Sequence, residues 1–98
     1  MTDDIADDII KSVGRAEDIL QRMRRNPRDW RIESLEAVAR RLGMLVRRPG
    51  SGSSHVIFGH PWVEEIISVP ARRPLKPVYV RQFLKLVERI EEARARRE

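Results

Sequence analysis

Apolar residues recur every three or four positions over residues 3–25, a spacing that places them on one side of an α-helix. The segment begins with several aspartates and ends with several arginines, which is the charge polarity that the helix dipole favours. Asn26-Pro27 ends the pattern, because the residue before a proline is disfavoured in the helical conformation. The sequence therefore predicts an N-terminal amphipathic helix. Its stripe consists of Ile5, Ile9, Val13, Ala16, Leu20 and Met23.

The same spacing predicts two further helices. One is expected at about residues 32–42, with Gly43 as its C-terminal cap. The other begins at Pro77, since proline is well suited to the first turn of a helix. We expect the almost entirely charged segment at residues 91–98 to fray into solvent. The two apolar stripes consist of Leu35, Val38, Ala39 and Leu42, and of Val80, Phe83, Leu84, Val87 and Ile90.

Between these helices, short apolar segments bounded by turn residues predict three β-strands, at residues 44–48, 54–59 and 66–69. A glycine- and serine-rich turn at residues 49–53 separates the first two strands. The residues Gly59-His60-Pro61-Trp62 are predicted to form a turn before the third.

Alternation within the strands predicts which side chains face the core. Met44 and Val46 fall on one side of the first strand, opposite Leu45 and Arg47. In the second strand Val56 and Phe58 are the larger apolar pair, so their face is predicted to be the core. His55 and Ile57 then face away from the core.

The predicted order is helix, helix, strand, strand, strand, helix, an α+β chain with a three-stranded antiparallel sheet. We divide it into an N-terminal helical extension at residues 1–28 and an α-β-β-β-α domain at residues 29–98. Such a domain can bury one sheet face under two helices and leave the other face open. Double-stranded-RNA-binding domains share this architecture, although a shared fold is a weak argument for function.

Composition and charge restrict the classes of function. The 98 residues include no cysteine and two histidines, which excludes thiolate metal sites and argues against a histidine-rich zinc site, so we expect no cofactor. The net charge of +5 favours a polyanionic partner. The excess lies in residues 27–98, with fifteen basic and nine acidic residues. The sequence has no apolar run that could span a membrane and no signal peptide, so a cytoplasmic protein is expected.

The candidate chemistry is centred on His55. A histidine has an unperturbed pKa near 6.5 and can transfer protons at neutral pH, whereas arginine is suited to binding phosphate. Basic residues occur before and after His55 in the sequence, and phosphate binding is the function they suggest. They are Arg47, Arg48, Arg72, Arg73 and Lys76. The alternatives are a structural histidine and a solvated basic surface.

The order of short motifs resembles that of HicA toxins, a family of bacterial toxin–antitoxin proteins. The matching residues are a glycine- and serine-rich turn leading into Ser54-His55-Val56-Ile57-Phe58, then His60-Pro61, Ser68-Val69-Pro70, Leu75-Lys76-Pro77 and Val80-Arg81-Gln82-Phe83-Leu84. The resemblance covers about residues 32–90. Two features depart from it, namely the additional residues 1–28 and the second serine, Ser53, between the last glycine and Ser54.

The resemblance implies a metal-independent endoribonuclease that cleaves single-stranded mRNA and is neutralised by a HicB-like antitoxin. His55 would be the general acid or base, and Ser54 and the basic residues would contact RNA phosphates. A second group for proton transfer is not evident from the sequence. His60 could serve, although His60-Pro61 also fits a structural turn, and Trp62 could either stack on a base or cap the core.

Two other functions fit the same sequence. The chain could be a non-catalytic RNA-binding module with the same fold, or a diverged, inactive interaction protein. The N-terminal helix is expected to pack on its own domain. A homodimer through the stripe at residues 5–23, or a docked partner, is the alternative.

Overall fold

A computed structural model describes residues 15–48 and 54–97 of this chain. The described residues form an α+β fold with three helices and a three-stranded antiparallel sheet. The first helix, α1, includes residues 15–25, and its beginning lies outside the described residues. The other elements are α2 (Ile32–Arg41), β1 (Leu45–Arg47), β2 (His55–His60), β3 (Val63–Pro70) and α3 (Pro77–Arg97).

The described part of α1 packs on the rest of its own chain. Ala16, Leu20 and Met23 are fully buried and belong to the same hydrophobic core as α2, α3 and the sheet. This confirms the predicted helix and the predicted direction of its stripe for residues 15–25. The first half of the stripe, including Ile5 and Ile9, lies outside the described residues.

Helix α2 ends as the sequence predicts. Gly43 has a φ of +72°, the left-handed conformation that glycine adopts at helix ends without steric cost. The N–H of Met44 then turns back to donate to the carbonyl of Ala39 at 2.9 Å. This reversal of the chain brings β1 directly alongside the helix that precedes it.

The sheet has the strand order β1-β2-β3, and all neighbours are antiparallel. Val56 and Phe58 of β2 are fully buried, as predicted, and the Phe58 ring meets the ring of Phe83 edge-on with 5.2 Å between centroids. His55 is exposed. The face opposite the core stays open, with Leu45 59% and Ile66 68% exposed.

Two predicted boundaries in the second hairpin are wrong. Strand β2 continues to His60, one residue beyond its predicted end at residue 59, and β3 begins at Val63 rather than at Ile66. His60 pairs with Val63, so the turn contains only two residues, and the register is irregular between Phe58 and His60. This irregularity interrupts the alternation in β3, and an interrupted alternation conceals the start of a strand from sequence reasoning.

The predicted fraying of residues 91–98 is also wrong where the structure describes it, because α3 continues to Arg97. Ala93 continues the buried stripe one turn beyond Ile90 and is 5% exposed. Basic residues occupy the last turn of the helix, where the helix dipole favours them. None of the described helices is both long and apolar enough to span a membrane.

Candidate functional site

The candidate site begins where β2 begins. His55 is the first residue of β2 and pairs with Pro70, the last residue of β3. Beyond that pair, the N–H of Ala71 donates to the carbonyl of Ser54 at 2.6 Å. The backbone therefore holds the start of the basic loop, residues 71–76, directly beside the histidine.

The other end of the basic loop is fixed to the core. Leu75 is 2% exposed, and its N–H donates to the carbonyl of Trp30 at 2.9 Å. Trp30 is itself half-buried against the core, and its Nε1 donates to the carbonyl of Asn26 at 2.6 Å. The loop is thus fastened at both ends, while the charged side chains between these two points are exposed.

These elements enclose a pocket of about 390 Å³, within the usual range for ligand sites. It is lined by Ser54, His55, Pro70, Arg72, Arg73, Pro74, Lys76 and Tyr79. None of these described lining residues is acidic. The pocket therefore combines an imidazole, two guanidinium groups, an ammonium group and two hydroxyls, a set suited to an anionic ligand with exchangeable protons.

One carboxylate lies close to the cationic rim. The Nη2 atom of Arg73 donates to Glu33 of α2 at 3.2 Å, and both side chains are more than half exposed. An exposed ion pair of this kind contributes little to stability and can exchange for a stronger anionic partner. Arg73 therefore stays available to an incoming phosphate.

The structure brings five of the seven predicted site residues together in the pocket, Ser54, His55, Arg72, Arg73 and Lys76. Arg47 and Arg48 do not line it. Arg47 is exposed on β1 and pairs with Ile57, two residues from His55. Because diagonal neighbours on one sheet face are about 7–8 Å apart, the long side chain of Arg47 can reach a ligand that extends from the pocket over the sheet.

Arg48 is committed to a structural contact. Its Nη2 and Nε atoms donate to the two carboxylate oxygens of Glu36, at 2.8 Å and 3.2 Å. Glu36 is buried in α2, at 5% exposure, and the hydrogen bonds it accepts raise the pKa of Arg48. Breaking this bidentate pair would leave a buried carboxylate without its main partner, so we assign Arg48 to the connection between α2 and β1 rather than to phosphate binding.

Tyr79 is the pocket residue that sequence reasoning missed. It lies on the first turns of α3, its ring packs against the core, and its N–H donates to the carbonyl of Lys76 at 2.9 Å. The sequence feature that could have identified Tyr79 is its position three residues after Lys76, within one helical turn of a predicted site residue. Tyr79 lies outside the apolar stripe predicted for α3, and nothing in the local pattern connects it to His55.

The second histidine, His60, lies at the opposite end of β2, about 17 Å away for a strand of this length. Its Nδ1 accepts a hydrogen bond from the N–H of Trp62 at 3.1 Å, and the two rings meet edge-on with 4.8 Å between centroids. Burial lowers the pKa of His60, and the charges of Arg94 and Arg97 lower it further. His60 therefore stabilises the turn and does not belong to the pocket, as the structural interpretation of His60-Pro61 expects.

Trp62 is also engaged within the chain. The guanidinium carbon of Arg97 lies 4.7 Å from the Trp62 ring centroid, and that of Arg94 lies 5.9 Å from it. With 36% of its surface exposed, Trp62 covers the end of the hairpin and holds the last turns of α3. This contact explains why the charged end of α3 is ordered.

Metal ligands were sought among the described residues. No group of three or more histidine, cysteine, aspartate or glutamate side chains is arranged there to hold a metal ion. The pocket itself contains one residue of those types, His55. The side chains of the pocket can stabilise negative charge through their cations and transfer protons through the imidazole and the hydroxyls.

We compared the chain with protein-family models, with curated proteins and with solved structures, and none of them matches it. The resemblance to HicA toxins therefore rests on the motif residues alone, of which Ser54 to Phe58 are the most specific.

Proposed function

We propose that this chain is an endoribonuclease that works without a metal ion and cleaves single-stranded RNA in the pocket around His55. The observation that supports this most directly is the composition of the pocket. It places one histidine among three cationic side chains, Arg72, Arg73 and Lys76, with no acidic residue among its described lining. A polyanion would be attracted to such a pocket, and a histidine there is within reach of its phosphate groups.

The chemistry uses the 2′-hydroxyl of the RNA as its nucleophile. His55 takes the proton of this hydroxyl as the 2′-oxygen attacks the adjacent phosphorus atom. The cations then stabilise the additional negative charge that develops on the phosphoryl oxygens in the transition state. DNA lacks the 2′-hydroxyl, so the same pocket can bind DNA but cannot cleave it.

The phosphate contacts follow from the shape of the loop. Arg72, Arg73 and Lys76 surround the scissile phosphate, and the Ser54 hydroxyl adds a hydrogen bond from the strand side. Arg47 binds the neighbouring phosphate, because it lies on the same open sheet face as His55. The RNA therefore leaves the pocket along the open face of the sheet rather than toward the helices.

The motif order supports a narrower proposal, that the enzyme is a HicA-like toxin with a dsRBD-like α-β-β-β-α domain. Its substrate would then be mRNA in the cytoplasm, and its inhibitor would be a HicB-like antitoxin. The antitoxin would have to neutralise the cations around His55, so an acidic segment seated over Arg72 and Lys76 is expected. A homodimer through residues 5–23 would not use Ala16, Leu20 and Met23 as they stand, since these three residues are buried in the chain's own core.

Cleavage of a single-stranded RNA oligonucleotide in the presence of EDTA tests the proposal. We expect products with 2′,3′-cyclic phosphate and 5′-hydroxyl ends, and no cleavage of DNA of the same sequence. His55→Ala should lower the cleavage rate by at least about 100-fold, the smaller end of what general acid–base groups contribute. The matched control is His60→Ala, which removes the other histidine and should leave the rate within about threefold of the wild type.

Each other function predicts a different result. An equally active His55→Ala protein would exclude the catalytic assignment. RNA that is bound in a salt-dependent manner but never cleaved would support the non-catalytic RNA-binding module. Failure to bind RNA, together with oligomers that require residues 1–26, would support an interaction protein.

A further inference from the structure

We infer that Tyr79 is the second proton-transfer group, which donates a proton to the 5′-oxygen that leaves when the RNA chain is cut. This inference rests on the proposed ribonuclease function. It assigns to a residue of this pocket the role for which the sequence alone offers no candidate other than His60. It also makes the site a pair of proton-transfer groups, one on β2 and one on α3.

The position of Tyr79 is fixed by the fold. Its ring packs against the core on one side, and the residue lines the same pocket as His55. Tyrosine side chains generally keep the apolar ring on the core and the hydroxyl at the polar surface, so we place the Tyr79 hydroxyl in the pocket that this residue lines. Val80, the next residue of α3, is fully buried. The first turn of α3, which carries Tyr79, is therefore anchored in the core.

The ordinary acid–base chemistry of the two side-chain types assigns the two roles. A phenol with an ordinary pKa near 10 carries its proton and can act as an acid, whereas a histidine with an ordinary pKa near 6.5 can accept one. We assign Arg72 and Arg73 to charge stabilisation, because guanidinium groups in proteins do not serve as proton donors. The Ser54 hydroxyl is set aside because an aliphatic alcohol is a much weaker acid than a phenol. Within the described pocket this leaves Tyr79 and Lys76 as candidates for the acid.

Tyr79 is better suited to this role than Lys76. Lys76 is exposed and lies before the first residue of α3, so its flexible side chain must lose rotamer freedom to hold one geometry. The Tyr79 ring is already restricted, because it packs against the core. We assign Lys76 to charge stabilisation at the phosphate. His60 is excluded by its position at the far end of β2.

The complete step is balanced. The 2′-hydroxyl proton moves to His55, the bond from the 2′-oxygen to phosphorus forms, and the bond from phosphorus to the 5′-oxygen breaks. The Tyr79 proton moves to that 5′-oxygen. The products are a 2′,3′-cyclic phosphate and a 5′-hydroxyl. Proton transfer from protonated His55 through solvent to the Tyr79 phenolate restores both groups.

A change of leaving group tests this role. In RNA whose scissile 5′-oxygen is replaced by sulfur, the departing thiolate is a weak base and needs no proton. We expect Tyr79→Phe to cleave ordinary RNA at least about 100-fold more slowly than the wild type. It should cleave the sulfur substrate within about threefold of the wild type. His55→Ala should be slow on both substrates, because the 2′-hydroxyl must still lose its proton.

Lys76→Gln is the matched control, since it removes a pocket cation and should be equally defective on both substrates. A Tyr79→Phe defect of the same size on both substrates, or no defect, would overturn the inference. So would rescue of Lys76→Gln by sulfur. If the wild-type protein cleaves neither substrate, the ribonuclease proposal itself fails, and this result is distinct from a specific failure at Tyr79.

A second measurement needs no substitution by another residue type. Tyr79 is the only tyrosine of the chain, so growth on a fluorinated tyrosine replaces this residue alone. Fluorination lowers the phenol pKa. The alkaline limb of the pH–rate profile on ordinary RNA should shift downward by the same number of pH units. An unchanged alkaline limb would overturn the inference.

Discussion

The two ends of strand β2 both carry a histidine close to arginines, yet the two histidines have different surroundings. At the first end, His55 is exposed and lines a pocket with Arg72, Arg73 and Lys76. At the last end, His60 is half-buried, contacts the ring of Trp62 and accepts a hydrogen bond from the backbone of the turn. One histidine faces a ligand-sized pocket, and the other completes a turn.

The charges around the two histidines differ in the same way. No acidic residue is among the described lining of the His55 pocket. At the Trp62 end, the arginines of α3 lie among acidic residues, and Arg89 pairs with Glu65 at 3.5 Å. The shallow surface beside Trp62 is also lined by Glu64, Glu65 and Glu92. Unbalanced positive charge therefore distinguishes a candidate phosphate site from an equally arginine-rich structural contact.

The largest expected difference between the two ends is the change in RNA affinity when the arginines of each end are replaced by glutamine. Arg72→Gln combined with Arg73→Gln should weaken binding of a non-cleavable RNA by about tenfold per arginine, because a charge-assisted hydrogen bond contributes about 1.5–3 kcal/mol. The loss of affinity for Arg73→Gln should be at the lower end of this range, because Arg73 must break its ion pair with Glu33 to bind RNA. Fluorescence anisotropy at several salt concentrations measures both the affinity and the number of phosphates contacted.

The control for this measurement is Arg94→Gln combined with Arg97→Gln, which removes the same charge at the Trp62 end. It should change RNA affinity by less than about threefold, apart from a uniform loss at low salt. Equal losses for the two double variants would contradict the distinction between the ends, because they would show that RNA responds to total charge alone.

Stability should show the opposite order. His60→Ala removes the hydrogen bond from the Trp62 N–H and the edge contact between the rings, and should lower the free energy of unfolding by about 1–2 kcal/mol. His55→Ala removes an exposed side chain and should lower it by less than His60→Ala does. Thermal or urea denaturation of the two variants measures both values. A larger loss for His55→Ala would show that His55 has a structural role.

The smallest expected effect is a pH dependence from His60. Burial and the charges of Arg94 and Arg97 lower its pKa in the folded chain, whereas in the unfolded chain it is near 6.5. Well above pH 6.5, His60 is neutral in both the folded and the unfolded chain and adds no pH dependence. As the pH is lowered below about 6.5, His60 takes up a proton in the unfolded chain before it does so in the folded chain. The free energy of unfolding therefore decreases until the folded residue is also protonated.

His60→Gln isolates this contribution, because the other titrating groups remain in both proteins. The difference in unfolding free energy between wild type and His60→Gln should shrink between pH 7.5 and pH 5.5. Added salt should weaken the part that comes from the arginines. A difference that stays constant over this range would contradict the lowered pKa.

Much of the fold follows from local patterns. The spacing in residues 32–42 and after Pro77 predicts α2 and α3, and alternation in β2 assigns Val56 and Phe58 to the core and His55 to the outside. These predictions succeed because helical and strand periodicities depend on neighbours within a few residues. The predictions fail at the start of β3 and at the end of α3. There, strand register and the Trp62 contact extend elements that look polar in sequence.

The candidate site also has a part that follows from local sequence patterns and a part that depends on the tertiary structure. The sequence by itself determined that His55 is exposed beside a basic surface, because one strand's alternation and nearby arginines are sufficient for that statement. Only the tertiary structure decided which cations reach it, since the Ala71 and Leu75 hydrogen bonds fold the loop over the start of β2. Long-range pairing also committed Arg48 to Glu36 and placed Tyr79 in the pocket. Contacts between residues more than ten positions apart depend on the register of the whole sheet, which no local pattern encodes.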